Sequence, residues 1–469
     1  MSSDVFSSWP GFHPLGRPVR VARIGGFIVL LLGLAACASP NVAGPETSAQ
    51  EVAPPPPVET TPPPLEDTVV TGPRSYRVGL LVPLSGAPEQ VGRDLVASAQ
   101  MALYDLAGER FELLPRDSGA NAASAAEAAN RLLSEDRVDL IIGPLLSDAV
   151  RAVTPLTQAA GVPMIAFTND LAAASQGVYI LGFTPQEQVR RAMGFARGRG
   201  FSQLAALVPA NEYGSVMAGS VATSASELGV SMVDSVAYPT DPADMAGRSE
   251  VIKRLARYGS RTAALAQQRR DLAARGDEIS KRALRRLEVL DTLGDVGFDA
   301  LVLPAGGSAV RELAPLLAYY DVDPARVKLI GTWLWDDPSM GKEPTLVGAW
   351  FAAPPPEVRD SFVERFAVLY GRNPSRLATL GYDSVALAAV LARRASAGEF
   401  VAGGQDSGGS ASPFTEEALT SPDGFAGMDG IFRLHPDGHS ERGLAVLEIR
   451  PDGIATIDPA PQSFAPVVY

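Results

Sequence analysis

The sequence has few of the residues that metal and redox sites need. Its 469 residues include one cysteine and three histidines. A single cysteine excludes an intrachain disulfide, a cysteine-rich zinc site and a CxxC redox pair. His13 lies in a predicted leader, which leaves His435 and His439, and the residues between them, Pro436 to Gly438, indicate a turn rather than a ligand-bearing helix. We therefore expect neither a metal site nor a cofactor.

Positive charge is also scarce, with 40 Lys and Arg against 53 Asp and Glu and a formal net charge of −13. This balance excludes a protein whose whole surface binds nucleic acid, because phosphate binding needs a cationic field. The catalytic patterns GxSxG, Walker A, HExxH and GxGxxG do not occur between a predicted strand and a predicted helix. We therefore expect a protein that is not an enzyme.

The first 36 residues are predicted to be a signal peptide. Arg17, Arg20 and Arg23 form a positive region, and an apolar run at 25–34 follows, which is too short to span a bilayer comfortably. The next residues, LAAC at 34–37, match the bacterial lipobox, so this segment resembles a lipoprotein precursor. That resemblance implies cleavage before Cys37 and its lipidation; the alternative is an ordinary leader with a chance cysteine.

Residues 37–73 are predicted to be a proline-rich tether. Ten prolines occur in 38–73, among small and acidic residues. Such a segment buries little apolar surface and favours an extended, semi-rigid chain. At about 3.1 Å per residue in polyproline II it would reach on the order of 100 Å. This reach favours a periplasmic protein anchored to the outer membrane. The resemblance to lipoproteins implies the same, because Ala38 follows Cys37 where an Asp retains enteric lipoproteins in the inner membrane.

From residue 74 onward the chain alternates short apolar runs with longer amphipathic runs. The predicted strands lie at 77–82, 138–142, 163–167, 204–208, 299–303 and 327–330, and the predicted helices at 92–107, 122–134, 147–160, 185–198 and 213–228. This βαβ alternation predicts an α/β protein with two Rossmann-like, doubly wound lobes. Two short apolar runs near the C-terminus, at 430–434 and 444–450, predict antiparallel hairpins.

An ordered set of motifs resembles the leucine-binding family of type I periplasmic binding proteins. The motifs are PLSG at 83–86, VDLIIGP at 138–144, GVPMI at 161–165, Tyr213-Gly214 and GIFR at 430–433. The resemblance implies two lobes joined by hinge strands, with a ligand cleft between them. It places lobe 1 at 74–184 and 352–432, and lobe 2 at 185–351 and 433–469.

The same resemblance implies a ligand site for an amino acid or a similar small polar molecule. The candidate ligand-binding residues are Ser85, Ser147, Thr168, Asn169, Tyr213, Trp333 and Asp336. Ser147 would bind the ligand carboxylate at a helix amino terminus. Asp170 would repel that carboxylate. The alternative interpretation is that these residues are helix caps, turn residues and side chains that pack in the gap between the lobes.

Residues 245–293 form a predicted helical insertion that is strongly basic. From 248 to 286 there are twelve Arg or Lys and four Asp or Glu. Tyr258, Leu265, Leu272 and Ile279 recur every seventh residue, which predicts an apolar seam with breaks near Gly259 and Gly276. The candidate partner-binding residues are Arg254, Arg257, Arg261, Arg269, Arg270, Arg282 and Arg285. A solvated charged face is the alternative.

The basic insertion, the GTWLWD segment at 331–336, the lipobox and the tether together resemble penicillin-binding-protein activator lipoproteins. This resemblance implies a non-catalytic regulator whose partner is a peptidoglycan synthase. The alternative is a receptor that delivers an amino acid or a similar ligand to an ABC permease. In both hypotheses the protein is attached to the membrane only by its lipid anchor, and in neither does it bind nucleic acid.

Overall fold

A computed structural model describes residues 75–398 and 412–464. The predicted signal peptide 1–36, the lipidation residue Cys37 and the tether 37–73 lie outside the described residues. The described part contains two large sheets with helices on both faces and a small antiparallel sheet of three strands. The strands are β1 (Tyr76–Val82), β2 (Phe111–Asp117), β3 (Leu140–Ile142), β4 (Met164–Ala166), β5 (Val178–Ile180), β6 (Gln203–Pro209), β7 (Ser231–Tyr238), β8 (Ala300–Val302), β9 (Lys328–Gly331), β10 (Trp350–Ala353), β11 (Phe425–Gly427), β12 (Gly430–Leu434), β13 (Ser440–Arg442), β14 (Ala445–Arg450) and β15 (Gly453–Asp458). The α-helices are α1 (Glu89–Leu106), α2 (Ala122–Ser134), α3 (Ser147–Ala160), α4 (Pro185–Gly198), α5 (Glu212–Leu228), α6 (Met245–Leu255), α7 (Tyr258–Arg275), α8 (Glu278–Leu287), α9 (Gly307–Tyr319), α10 (Pro356–Tyr370), α11 (Ala378–Ser396) and α12 (Glu416–Leu419).

Lobe 1 is built on a parallel five-stranded sheet with the order β2-β1-β3-β4-β5. Successive residues of β1 point to opposite faces, so Leu80 packs in one core and Leu81 in the other. Helices α1, α10 and α11 cover the first face, and α2 and α3 cover the second. Burial on both faces explains why these strands are continuous apolar runs in the sequence.

Lobe 2 is built on a seven-stranded sheet with the order β15-β14-β10-β9-β8-β6-β7. Five strands are parallel, and β14 and β15 add an antiparallel edge. Helices α4 and α5 cover one face, and α6 and α9 cover the other. The prediction of two doubly wound α/β lobes is therefore confirmed.

The chain crosses between the lobes three times. It passes from β5 to α4, from β10 to α10, and from β13 to β14. The third crossing follows Arg442, because β12 and β13 pair with β11 and Leu434 packs in the core of lobe 1. The two predicted C-terminal hairpins are both present, and they lie in different sheets.

A glycine lets each of the helices α1 and α5 begin close to the strand before it. In α1 a Cβ on Gly92 would overlap the carbonyl oxygen of Pro83, just after β1. In α5 a Cβ on Gly214 would overlap the carbonyl oxygen of Pro209, at the end of β6. Only glycine permits this approach, and it brings the start of each helix to the carboxyl edge of its sheet.

The predicted insertion forms α6, α7 and α8 between β7 and β8. Leu265 and Leu272 are buried, as the seam predicts, whereas Ile279 is 81% exposed because the chain turns at Gly276 before α8 begins. The first break lies at Arg257, which has a φ of 50°, and not at Gly259, which is inside α7. Helices α7 and α8 therefore form a hairpin, which we call the basic hairpin.

Candidate functional site

A cleft of about 640 Å³ lies where the two lobes face each other, and we call it the first cleft. It is lined from lobe 1 by residues at the starts of α2 and α3 and in the loop after β4, and from lobe 2 by residues at the starts of α4 and α5. The lining residues used below are Asn121, Ser147, Arg151, Asn169, Asp170, Glu212, Tyr213 and Val216. A volume of this size is typical of a small-molecule site.

Four helices begin at the first cleft, and one of them, α4, starts with Pro185, which has no backbone N–H to offer a ligand. The Asn121 side chain caps α2 by accepting a hydrogen bond from the Ser124 N–H, and the Asn211 side chain caps α5 in the same way through the Gly214 N–H. Helix α3 begins at Ser147 without a side-chain cap. Free backbone N–H groups at a helix start favour an anion, so the uncapped start of α3 is the best place in the cleft for a carboxylate.

Two hydroxyl groups lie beside the start of α3. Ser147 Oγ and Thr168 Oγ1 are 3.2 Å apart, and Thr168 Oγ1 also accepts a hydrogen bond from the Asp170 N–H at 3.2 Å. Thr168 is buried, so it holds Ser147 and the loop after β4 in place from behind the cleft surface. Asn169 of the same loop lines the cleft.

The Arg151 guanidinium also lines the first cleft, one helical turn after Ser147 on α3. It donates from Nη1 to Asp170 Oδ2 at 2.5 Å and from Nη2 to Asp148 Oδ1 at 3.4 Å. The hydrogen bond to Asp170 raises the pKa of Arg151 above its ordinary value. Asp170 is thus paired with a cation. The sequence-based expectation that Asp170 repels a ligand carboxylate did not take Arg151 into account.

Tyr213 contributes the aromatic side chain of the first cleft from lobe 2. It is half-buried, and this burial raises the pKa of its phenol above the ordinary value. The phenol therefore stays protonated at neutral pH and can donate a hydrogen bond to a ligand.

The structure brings four of the seven candidate ligand-binding residues together. Ser147, Asn169 and Tyr213 line the first cleft, and Thr168 supports Ser147. Ser85, Trp333 and Asp336 are not among the residues that line it. Asn121, Arg151 and Glu212 do line it, and sequence reasoning missed them.

Trp333 and Asp336 lie at the hinge instead. The Trp333 ring packs on Phe183 with centroids 5.1 Å apart, and the Arg376 guanidinium lies 5.3 Å from the Trp333 centroid. Asp336 Oδ2 is 3.0 Å from Arg359 Nη1 and 3.5 Å from Arg376 Nε. These contacts join the segment after β9 to α10 and to the start of α11, so both residues fasten one lobe to the other.

Two buried carboxyl groups lie next to this hinge network. Asp429 is bound by Arg376 at 3.1 Å and accepts a hydrogen bond from the Thr379 hydroxyl. Asp383 is 1% exposed, and its Oδ1 accepts from the Met428 N–H at 2.6 Å while its Oδ2 has no hydrogen-bond partner. Burial and the neighbouring Asp429 charge raise the pKa of Asp383 to about 7.

The candidate partner-binding arginines divide into two groups. Arg261 is buried and donates to Asp321 Oδ2 at 2.7 Å and to the Gly294 carbonyl at 2.8 Å. Arg269 donates to the carbonyl of Leu287, the last residue of α8, at 2.7 Å and to the carbonyl of Leu290 at 2.9 Å. These two side chains hold the basic hairpin together. The others are exposed: Arg254, Arg257, Arg270, Arg282 and Arg285.

Within residues 75–398 and 412–464, no group of three or more His, Cys, Asp or Glu side chains is placed to hold a metal ion. Over the same ranges, no helix combines the length and the apolar character that a membrane span needs.

Comparison with known proteins supports the fold. Residues 75–281 match the model of a family described as periplasmic binding protein. A putative branched-chain amino acid ABC transporter protein from Rhodospirillum rubrum has a similar structure, with a TM-score of 0.62 and 18% identity over 82% of this chain and 100% of that one. An ABC transporter substrate-binding protein from Sphaerobacter thermophilus gives a TM-score of 0.59 and 19% identity over 82% and 97% of the two chains. The leucine binding protein LivK from Thermotoga maritima gives a TM-score of 0.53 and 17% identity over 82% of this chain and 98% of that one.

No curated protein matches the sequence. The structural likeness, at these identities, extends to the fold and not to the ligand. Together with the family match over residues 75–281, it supports the sequence-based resemblance and confirms the predicted fold: the described part of this chain has the type I periplasmic binding protein fold.

Proposed function

We propose that this protein is a solute receptor that binds a small polar ligand with a carboxylate group, such as an amino acid, and delivers it to an ABC permease. One observation carries the proposal: helix starts from both lobes meet at the first cleft, with Ser147, Arg151 and Tyr213 side by side around it. A ligand bound there would contact both lobes at once and would favour their closure. The proposal assigns binding to this cleft and no chemical transformation.

The carboxylate of the ligand would lie at the start of α3. Its oxygens would accept hydrogen bonds from the Ser147 hydroxyl and from the free N–H groups of the first helical turn. The Arg151 guanidinium lies one turn away and lines the same cleft, so the N–H groups that it does not use for Asp170 and Asp148 would donate to the same end of the ligand. Tyr213 would donate from the opposite lobe.

Thermal unfolding in the presence of amino acids and simple carboxylates tests this proposal. A ligand at 100 times its Kd raises the free energy of unfolding by about 2.7 kcal/mol, which is a measurable rise in Tm. Ser147→Ala should weaken the rise, and Ser226→Ala, an exposed serine on α5, should leave it unchanged. If no carboxylate in the panel shifts the Tm of the unaltered protein, the receptor proposal is wrong.

A second candidate function is the activation of a peptidoglycan synthase, which the exposed arginines of the basic hairpin favour. Arg282 and Arg285 project into solvent and have no hydrogen-bond or ion-pair partner among the described residues. Such a surface would fit an acidic partner protein. The test is peptidoglycan synthesis by a purified bifunctional synthase, with the unaltered protein and with an Arg282→Glu/Arg285→Glu variant.

The location of the anchor separates the two candidates. Both place the protein in the periplasm, and the lipidation of Cys37 remains a prediction from the lipobox. A receptor that serves a permease needs its anchor in or near the inner membrane, whereas the long predicted tether suits an outer-membrane anchor. Fractionation of the two membranes therefore favours the receptor if the protein is found in the inner membrane, and the activator if it is found in the outer membrane.

A further inference from the structure

The outer face of α8, in the basic hairpin, carries three arginines, which we call the arginine cluster. Arg282, Arg285 and Arg286 are exposed and have no hydrogen-bond or ion-pair partner among the described residues. Spacings of three and four positions place Arg282 beside both of the others on the helix surface. The opposite face of α8, with the buried Ser280, packs on α7. The three guanidinium groups are therefore free to contact another surface.

Little negative charge offsets the arginine cluster. Helix α8 has four cationic side chains and one carboxylate, and that carboxylate, Glu278, is already bound by Lys281 at 2.8 Å. Asp277 caps the start of the helix by accepting a hydrogen bond from the Ser280 N–H. Glu288 follows the helix and is exposed, so the arginines remain in excess. The face of α8 is thus positive on a chain with a formal net charge of −13, and it would attract an anionic surface.

Two large apolar side chains border the arginine cluster and lie in solvent. Ile279, in the first turn of α8, is 81% exposed, and Val289, just after the helix, is 83% exposed. Ile279 lies three positions before Arg282, and Val289 lies three positions after Arg286. Cationic side chains between exposed apolar ones are typical of helices that lie on a membrane surface, where the charges meet headgroups and the apolar groups meet acyl chains.

The predicted lipid anchor favours a membrane over a soluble protein as the partner of this surface. If Cys37 is lipidated, a bilayer is always within reach of the hairpin, because the predicted tether extends on the order of 100 Å at most. Such tethering gives the bilayer a high effective concentration, so a surface contact that is weak by itself becomes populated. A bilayer also offers anionic headgroups and an apolar layer beneath them, and α8 presents both kinds of side chain.

We propose that the basic hairpin docks on a bilayer that contains anionic lipid, with the arginine cluster at the headgroups and with Ile279 and Val289 at the boundary of the acyl chains. This contact does not involve the first cleft, so it goes beyond the receptor function and does not depend on it. It holds the body of the protein close to the membrane, which a tether alone does not do.

Sedimentation with vesicles tests the proposal. The mature chain, residues 37–469 with Cys37→Ser, lacks the lipid anchor, so that only contacts of the protein itself can hold it on a vesicle. Vesicles of phosphatidylglycerol and phosphatidylcholine in equal parts are compared with vesicles of phosphatidylcholine alone. We expect binding to the first and not to the second, and a loss of about tenfold or more in affinity at about 0.5 M salt, which screens exposed charges.

Variants of the arginine cluster locate the contact. Arg282→Gln/Arg285→Gln should weaken binding to the anionic vesicles about tenfold or more. Arg282→Lys/Arg285→Lys should bind normally, because attraction to headgroups needs the charge and not the planar guanidinium. The matched control is Arg131→Gln/Arg197→Gln, which removes two exposed arginines from α2 and α4 and the same amount of charge. This control should bind like the unaltered chain.

The apolar contribution has its own pair of variants. Ile279→Ser/Val289→Ser should weaken binding about threefold or more, because less apolar area enters the bilayer. Val368→Ser replaces a valine on α10 that is 84% exposed and should have no effect. Urea unfolding of each variant shows whether it keeps the stability of the unaltered chain, as substitutions of exposed side chains should.

Three results would overturn the proposal. The first is that the unaltered chain does not bind the anionic vesicles. The second is that Arg282→Gln/Arg285→Gln binds them as tightly as the unaltered chain, which would place the contact elsewhere. The third is that the chain ignores vesicles while the same variant fails to stimulate a purified synthase, which would make an acidic protein the partner. None of these results affects the receptor function, because carboxylate binding at the first cleft is measured without vesicles.

Discussion

The Arg151 guanidinium and the Asp170 carboxylate lie 2.5 Å apart in the lobe 1 lining of the first cleft, and they join α3 to the loop after β4. Nineteen positions separate them in the sequence. The pair neutralises the one acidic residue of that loop, so the Asp170 charge is not left unpaired beside Ser147. It therefore converts a position that would reject a carboxylate into one that can accept it.

Substitution of Arg151 tests this role. Arg151→Ala leaves the Asp170 charge unpaired next to the carboxylate site, so the affinity for a carboxylate ligand should fall about tenfold or more. Titration calorimetry measures the change. Arg131→Ala removes an exposed arginine from α2, outside the cleft, and should have no effect. Equal affinities in the two variants would show that Arg151 has no part in ligand binding.

The raised pKa of Asp383 predicts that the stability of the protein depends on pH. Its pKa is raised to about 7 by burial and by Asp429, whereas a carboxyl group in the unfolded chain titrates near 3.9. Between these values the folded state keeps a proton that the unfolded state has lost. The stabilising contribution of protonated Asp383 is therefore present below about pH 4 and is lost as the pH rises through about 7.

Urea unfolding at pH 5 and pH 8 measures this effect. Asp383→Asn should reduce the loss of stability between the two pH values, because asparagine does not titrate. Asp105 is the control: its hydrogen bond to Arg365 holds its pKa below the ordinary value, so Asp105→Asn should leave the change between pH 5 and pH 8 nearly unaltered. A pH dependence that is identical in the Asp383 variant and the unaltered protein would contradict the prediction.

Arg261 should hold the base of the basic hairpin. Arg261→Ala removes the hydrogen bonds to Gly294 and Asp321 and leaves partly buried acceptors without a donor, which should cost about 1–3 kcal/mol. Arg282→Ala, on the exposed face of α8, should change stability by less than about 0.5 kcal/mol. Urea unfolding measures both, and limited proteolysis should cut the hairpin faster in the Arg261 variant only.

Gly331 should be essential for the packing of Trp335. A Cβ at position 331 would overlap the Trp335 ring, which is fully buried and donates from Nε1 to the Ala305 carbonyl at 2.6 Å. Gly331→Ala should therefore lower stability by about 1–3 kcal/mol and shift the tryptophan fluorescence. Gly198→Ala, at the end of α4 where a Cβ has open space, should be neutral or slightly stabilising. A normal emission spectrum in the Gly331 variant would contradict the expected displacement.

The candidate site was only partly predictable. Ser147 and Tyr213 could be found because each occupies a helix start that follows a recognisable apolar strand. Arg151 could not, because nothing in its local sequence distinguishes an arginine in a ligand cleft from one in solvent. Asn121 precedes the predicted helix 122–134, and the sequence identifies it as a helix cap and not as a cleft residue. Trp333 and Asp336 follow strand β9, and residues that follow a parallel strand commonly line a cleft. The structure instead pairs Asp336 with Arg359 and Arg376 of lobe 1.

The fold class was determined by the sequence alone, because strands buried on both faces must be apolar runs and their covering helices must be amphipathic. The positions of α2, α3 and α4 follow from the same periodicity. Tertiary structure decided which charges meet. Arg151 with Asp170, Arg376 with Asp429 and Arg261 with Asp321 are 19, 53 and 60 positions apart. Ionic contacts between distant residues leave no periodic pattern in a chain, so the chemistry of the cleft and of the hinge became visible only when the lobes were assembled.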